Sequence, residues 1–167
     1  MDVRIASALI EAILADAARA PGREVCGLLL GEPCDPVRAE RRRSAGPDLS
    51  SGSLDVARDE RVGAVRATAN VAADPARSFE IDPTSLFAAI RAERAGGARI
   101  LGHYHSHPNG SPRPSARDAA MADRPGRLWL IAAAGAVRLW RERPGGIVQN
   151  AFEPVRLVVD PLTSGCA

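Results

Sequence analysis

The chain has 167 residues, of which 46% are hydrophobic, 25% charged and 4% aromatic, and its formal net charge is +2 at pH 7. This length is enough for one globular domain with its own core, without disulfides. The small net charge and the scarcity of aromatic side chains argue against a nucleic-acid-binding protein. No apolar run approaches the roughly 20 residues of a membrane helix, so we expect no membrane partner.

The N-terminal stretch contains Glu11 and Asp16 and lacks the basic start and unbroken apolar run of a signal peptide. The three cysteines, Cys26, Cys34 and Cys166, form no C-x-x-C pair. An odd number of unpaired thiols is typical of a reducing compartment. We therefore expect a cytoplasmic protein.

The apolar pattern predicts strands that alternate with helices. That order favours an α/β or α+β domain over 1–160, with a mixed central sheet flanked by helices. Residues 32–60 have no apolar period and predict a long surface loop, and 161–167 predict a tail. Strands are predicted at 3–5, 24–31, 62–70 and 98–107, on both sides of Gly135, and in one or two segments within 147–159; helices are predicted from Ser7 to Pro21, from 83 to 95 after Asp82, and over 115–123 with Ser115 as cap.

All three histidines lie within the stretch GHYHSHPNGSPRPSARD, residues 102–118. His105 and His107 are two residues apart, so on an extended backbone both imidazoles leave from the same face. A proline-rich connection then leads to Ser115, and Asp118 falls in the first turn of the next predicted helix. Two imidazoles and one carboxylate with a fourth position open are the donor set of catalytic zinc. We therefore predict one Zn²⁺ per chain, although paired core or surface histidines and an ordinary helix-start acid are the alternatives.

Hydrolysis at such a site needs a group that takes a proton from water, and no carboxylate lies between the two histidines. Glu24 is the best candidate, because it begins an apolar strand and can face a cleft at the end of the sheet. Glu80, in the stretch SFEID, is the alternative.

The pattern H-S-H, seven residues and S-x-x-D, with a glutamate just before GLLLG, resembles the JAMM motif of the JAMM/MPN+ zinc metalloproteases of the short prokaryotic type. The resemblance implies an α/β MPN (JAB1/MPN-like) domain that is cytidine-deaminase-like in its layering, although the deaminase signature itself is absent. It implies that His105, His107 and Asp118 bind zinc, that Glu24 is the general base, and that Ser115 donates a hydrogen bond to the oxyanion. The chain departs from many relatives at residue 103, which is His where they carry a large aromatic residue.

The resemblance also implies an activity, hydrolysis of the amide bond after the C-terminal Gly-Gly of a ubiquitin-like or sulfur-carrier protein. The reaction is either removal of a conjugated protein or trimming of a tail. Two alternatives stay open: a non-catalytic MPN scaffold that only binds partners, and a zinc hydrolase of another substrate. Scaffold members typically lack one or more motif residues, whereas this chain has all five.

Overall fold

A computed structural model describes residues 2–33 and 60–161 of the chain. Outside these ranges lie Cys34, Cys166, most of the predicted loop and residues 162–167 of the predicted tail. Residues 32, 33 and 60 of that predicted loop belong to strands. The strands are β1 (Asp2–Ala6), β2 (Cys26–Pro33), β3 (Glu60–Thr68), β4 (Ala98–Ser106), β5 (Leu128–Ala133), β6 (Ala136–Glu142) and β7 (Phe152–Asp160), and the helices are α1 (Ser7–Ala18), α2 (Pro83–Arg94) and α3 (Ala116–Met121).

The predicted elements are confirmed up to the end of β6, with boundaries that differ by a few residues. The prediction that 147–152 could form a separate strand is wrong, since β7 alone follows the hairpin. Gln149 (φ 52°) and Asn150 (φ 56°) adopt left-handed backbone conformations that interrupt an extended chain. Val148 therefore pairs with Phe152 only through an isolated bridge.

The seven strands form a mixed sheet, as predicted, in the order β1-β3-β2-β4-β5-β6-β7. The sheet closes on itself because β1 pairs in parallel with both β3 and β7, a closure that the sequence did not indicate. Asp160, at the end of β7, holds this seam through Arg4 on β1 (2.6 Å) and Arg61 on β3 (2.8 Å).

Alternate residues of β2 point to two different apolar clusters, which shows where the two longer helices lie. Leu29 packs in the cluster that includes Ile13 of α1. Leu28 and Leu30 pack in the cluster that includes Ala89 of α2. The two helices thus cover opposite faces of the sheet at β2. Among the described helices, none is both long and apolar enough to span a membrane.

Strand β4 runs through the centre of this arrangement, between β2 and β5. Gly102 is paired with Leu128, and a Cβ at this glycine would lie 1.9 Å from the Leu128 carbonyl oxygen. Only glycine lets β4 and β5 approach this closely. His105 of β4 and Trp129 of β5 lie on one face of the sheet. Tyr104 lies on the opposite face, in the apolar cluster that includes Ile13 of α1.

Candidate metal centre

The end of β4 brings two imidazoles together. His105 is 0% exposed and His107 is 5% exposed, and their Nε2 atoms are 3.0 Å apart. The two residues are two apart along the chain, so their side chains leave from the same face. The sequence-based expectation of two convergent histidines agrees with this geometry.

Asp118 reaches the same point from the first turn of α3. Its Oδ1 lies 3.3 Å from His105 Nε2, and its Oδ2 lies 3.3 Å from His107 Nε2. Ser115 caps the helix: its Oγ accepts from the Asp118 amide (3.2 Å), while its own amide donates to Asp118 Oδ2 (2.5 Å). This reciprocal capping box fixes the Asp118 carboxylate against the two histidines.

The donor atoms fit a zinc ion. A tetrahedral centre with ligands at about 2.0–2.1 Å separates any two donors by about 3.3–3.4 Å. His105 Nε2 and His107 Nε2 are 3.0 Å apart, and each lies 3.3 Å from a different oxygen of Asp118. The two imidazole nitrogens and the carboxylate are thus close enough to bind one metal ion together, which would leave a fourth position open.

Hydrogen bonds set the protonation of these groups. Burial opposes ionisation of Asp118, but hydrogen bonds from His105 and His107 outweigh it and hold the pKa of Asp118 well below its ordinary value. Burial lowers the pKa of His105. Burial also acts to lower the pKa of His107, but hydrogen bonds to Asp118 and to the Ser111 carbonyl outweigh it and raise that pKa. Asp118 is thus an anion at neutral pH, the form that binds metals.

The Ser111 carbonyl also orients one imidazole. His107 Nδ1 donates to this oxygen at 2.8 Å. With one hydrogen fixed on Nδ1, the proton that His107 shares with Asp118 is on Nε2, and its loss leaves the Nε2 lone pair, which binds metals, facing His105 and Asp118. A carbonyl partner on the far nitrogen is common for metal-binding histidines.

Glu24 lies beside this cluster, just before β2. Its side chain is buried with the residue only 6% exposed, and its carboxylate lies no more than 4.8 Å from the ring nitrogens of His105 and His107. Burial raises the pKa of Glu24 to about 7, against a smaller lowering effect of His107. A carboxylate with a pKa near neutrality can both accept and return a proton at pH 7.

Glu80, the alternative base, lies elsewhere. Its side chain is exposed and lines a cavity of about 360 Å³ beside α2, together with Phe87 and Met121. Among the described residues, one cluster suited to a metal comprises Glu24, His105 and His107 and includes neither Glu80 nor Asp118. Asp118 is placed with the two histidines by its distances to their Nε2 atoms. The geometry thus favours Glu24 over Glu80.

His103 is close to the site without joining the donors. Its ring lies 4.1 Å from that of Trp129 and 5.1 Å from that of Phe79. Burial lowers the pKa of His103 to about 3, so the ring is neutral. It occupies a packing position beside His105, as expected for a residue that stands in place of a large aromatic side chain.

Two aromatic side chains near the site were not predicted from the sequence. The Phe79 ring stacks on His105 with centroids 4.3 Å apart, and Trp129 meets the same imidazole edge-on at 5.9 Å. Both contacts join segments that are distant in the chain. The sequence predicted a strand around Trp129, but a strand pattern does not show which residues lie beside it, and no pattern pointed to Phe79.

Comparison with known proteins identifies the class of domain. Residues 6–143 match the family model described as prokaryotic homologs of the JAB domain. A solution structure of a protein from Desulfitobacterium hafniense is similar in fold, with a TM-score of 0.67 at 24% identity, and the match covers 97% of this chain and 95% of that one.

Two curated proteins are also similar in sequence. A desampylase of Haloferax volcanii is 34% identical over 116 residues, which are 69% of this chain and 66% of that protein. A probable TtuB-protein conjugate cleaving protease of Thermus thermophilus is 41% identical over 49 residues, which are 29% of this chain and 33% of that protein. The chain therefore spans less than two thirds of the length of these relatives.

Proposed function

Because the chain belongs to the family of prokaryotic homologs of the JAB domain, we propose that it is a zinc-dependent isopeptidase. Its substrate is the amide bond after the C-terminal Gly-Gly of a ubiquitin-like or sulfur-carrier protein, in a conjugate or in a longer tail. One observation carries the proposal: His105 Nε2 and His107 Nε2 lie 3.0 Å apart and each lies 3.3 Å from one oxygen of Asp118, with the Glu24 carboxylate beside the two imidazoles.

The names of the two curated relatives support the substrate class. One is called a desampylase, and the other is called a probable protease that cleaves conjugates of TtuB. Both names describe cleavage of a protein from a conjugate. The partner that we propose is accordingly a small protein with an extended C-terminal tail, and neither a nucleic acid nor a membrane is required.

We assign the metal to His105, His107 and Asp118. Zinc, when bound there, acts as a Lewis acid that acidifies water and polarises the scissile carbonyl. The chain's own contribution is to present two imidazoles and one ionised carboxylate in a buried, pre-organised geometry.

Glu24 and Ser115 complete the proposed mechanism. Glu24 takes a proton from the attacking water and delivers it to the leaving amine, which its pKa of about 7 allows in both directions. Ser115 Oγ accepts a hydrogen bond from the Asp118 amide. Among the described residues its hydroxyl hydrogen donates to no partner, so it can donate to the oxyanion of the tetrahedral intermediate.

The cytoplasm is the proposed compartment. Cys26 is a free, buried thiol, which suits reducing conditions.

The proposal is tested with a matched pair of variants, Glu24→Gln and Glu80→Gln. We expect Glu24→Gln to keep zinc and fold and to lose about 10²–10⁴-fold in cleavage, because an amide cannot accept the proton. Glu80→Gln is expected to cleave like the wild type. Zinc content, thermal unfolding and cleavage of a ubiquitin-like fusion are measured on the same samples. Loss of activity in Glu80→Gln alone would contradict the assignment of the base.

The substrate class is tested with fusions that differ only in the two residues before the scissile bond. If the site binds an extended tail in a narrow channel that excludes any Cβ at those positions, Ala-Ala tails should not be cleaved where Gly-Gly tails are. Equal cleavage of both tails, or of an unfolded casein-like protein, would indicate a general peptidase. Failure of zinc-loaded protein to cleave any tail would favour the scaffold alternative.

A further inference from the structure

The position of the Glu24 carboxylate depends on hydrogen bonds that the main chain of Glu24 makes. Glu24 precedes β2, outside the hydrogen-bond ladder of the sheet. Among residues 2–33 and 60–161, no group donates a hydrogen bond to its carboxylate. Its amide donates to the Pro75 carbonyl at 2.7 Å, and its carbonyl accepts from Asn70 Nδ2 at 2.8 Å. Both partners lie in the segment that follows β3.

The side-chain amide of Asn70 makes four hydrogen bonds in this region. Nδ2 donates to the carbonyls of Glu24 (2.8 Å) and Ser78 (3.0 Å), while Oδ1 accepts from the amides of Ala72 and Glu80, both at 3.0 Å. A side-chain amide has two hydrogens and two acceptor lone pairs, so each is used once. One end of the Asn70 amide faces two carbonyl oxygens, and the other end faces two backbone N–H groups. These partners identify the first end as Nδ2 and the second as Oδ1.

The same segment also contacts a proposed metal ligand. The bonds from Asn70 to Ser78 and Glu80 flank Phe79, whose ring stacks on His105 with centroids 4.3 Å apart. One side chain thus joins the main chain of Glu24 to the segment that packs against His105. A displacement of about 1 Å at a reacting group can cost on the order of 10²-fold in rate.

We propose that Asn70 is a positioning residue for the hydrolytic reaction, because its amide fixes Glu24 relative to the ring pair of Phe79 and His105. This inference rests on the proposed function, in which Glu24 is the base. Asn70 touches neither substrate nor metal and acts only through the main chain of Glu24 and the segment 71–81.

The first variant is Asn70→Asp. Its carboxylate keeps an oxygen for the amides of Ala72 and Glu80 but has no hydrogens for the carbonyls of Glu24 and Ser78. We expect kcat to fall about 10–100-fold, with KM within about threefold and about one zinc per chain. We also expect the Glu24 amide hydrogen to exchange about tenfold faster, because one buried hydrogen bond has that order of effect on local opening.

A matched control is Ser78→Ala in the same segment. It removes the bond from Ser78 Oγ to the Asp74 carbonyl (2.8 Å) and leaves all four bonds of Asn70 in place. Both kcat and the exchange of the Glu24 amide should stay at wild-type values. Asn70→Ala, which lacks all four bonds, is the second variant and decides the outcome if Asn70→Asp does not fold.

The outcomes separate this inference from the proposed function. If the wild type cleaves and a folded Asn70 variant keeps both its kcat and its Glu24 exchange rate, the positioning role is overturned. An increase in KM at unchanged kcat would overturn it as well, since the effect would then be on binding. If the wild type cleaves nothing, the proposed function fails. The exchange rate of the Glu24 amide then still tests whether Asn70 holds the main chain of Glu24 in place.

Discussion

The N-termini of α2 and α3 are both capped by side chains, but their carboxylates hold different positions and contact different groups. Asp82 is itself the N-cap of α2: its Oδ1 accepts from the Thr84 amide (3.3 Å), and its Oδ2 accepts from the Ser85 amide (2.9 Å) and hydroxyl (2.7 Å). Among the described residues, the hydrogen bonds of its carboxylate all stay within the first turn. At α3 the N-cap is Ser115, and Asp118 is the third residue of the helix. At α3 the carboxylate of Asp118 accepts from the Ser115 amide and also faces His105 and His107.

The difference lies in burial and helix length. Asp82 is partly exposed, whereas Asp118 is 3% exposed. Helix α2 has 12 residues and α3 only six, too few for a helix that is stable on its own. The cap and the burial of α3 stabilise this short helix, and its first turn places the Asp118 carboxylate next to the two histidines. A local capping motif therefore identifies a helix start, and burial decides whether the same group has a second role.

The largest effect is expected from Asp118→Ala. The variant removes a proposed zinc ligand together with half of the capping box. Zinc content should fall from about one per chain to nearly none, and cleavage should fall by about 10³-fold or more, since the metal contributes several kcal/mol to the transition state. Elemental analysis and cleavage assays measure both. A full complement of zinc in this variant would refute the ligand assignment.

An intermediate effect is expected from Ser115→Ala. Cleavage should fall by about 10²–10³-fold with zinc retained, as for the loss of one oxyanion donor. Loss of the cap should also lower Tm by a few degrees, on the order of 2–4 °C. If Tm falls by this amount while kcat is unchanged, Ser115 is only a cap.

Asp82→Ala is the matched change at α2 and should leave the chemistry intact. Zinc content and kcat should match the wild type, because among the described residues the Asp82 carboxylate hydrogen-bonds only to Thr84 and Ser85 of its own helix turn. Tm should fall by about 2–4 °C through the lost cap. Calorimetry alongside the cleavage assay checks this, and a large loss of activity would mean that the two helix starts are not functionally distinct.

The smallest effect is the pH dependence of that Tm difference. Hydrogen bonds from the Ser85 side chain and amide lower the pKa of Asp82 from its ordinary value of 3.8. The stabilisation is therefore complete above the unfolded pKa and is lost as the pH falls through the lower folded pKa. The Tm difference between wild type and Asp82→Ala should be constant from about pH 7 to pH 5.5 and smaller at about pH 3. A difference that grows on acidification would contradict the sign.

Much of the geometry of the proposed metal centre could be predicted because its signals are local. The i, i+2 spacing of His105 and His107 fixes a shared face once the strand is recognised. The spacing of Ser115 and Asp118 is that of a capping box, which places the carboxylate in a first turn. The sequence favoured Glu24 over Glu80 because Glu24 begins an apolar strand, but the difference in burial between the two glutamates is visible only in the structure.

The remainder depends on contacts between distant parts of the chain. Asn70 was predicted as the last residue of a strand, whereas β3 ends at Thr68 and Asn70 only bridges Ile81. Its four hydrogen bonds involve residues from 24 to 80, and no period in the sequence encodes them. The false strand at 147–152 has a related cause, since Gln149 and Asn150 adopt left-handed conformations without the glycine that signals such a turn.

The closure of the sheet at β1 also determines the order in which the protein can form during synthesis. Val3 of β1 is paired with Leu157 of β7, about 150 residues later in the chain. A chain that emerges N-terminus first exposes β1 before β7, and β7 appears only after the six other strands have been made. Pairings this distant also form slowly, because a long loop must be closed first. The residues from Glu24 to Asp118 are all synthesised before that seam can close, so the proposed metal centre can be assembled on a sheet that is still open.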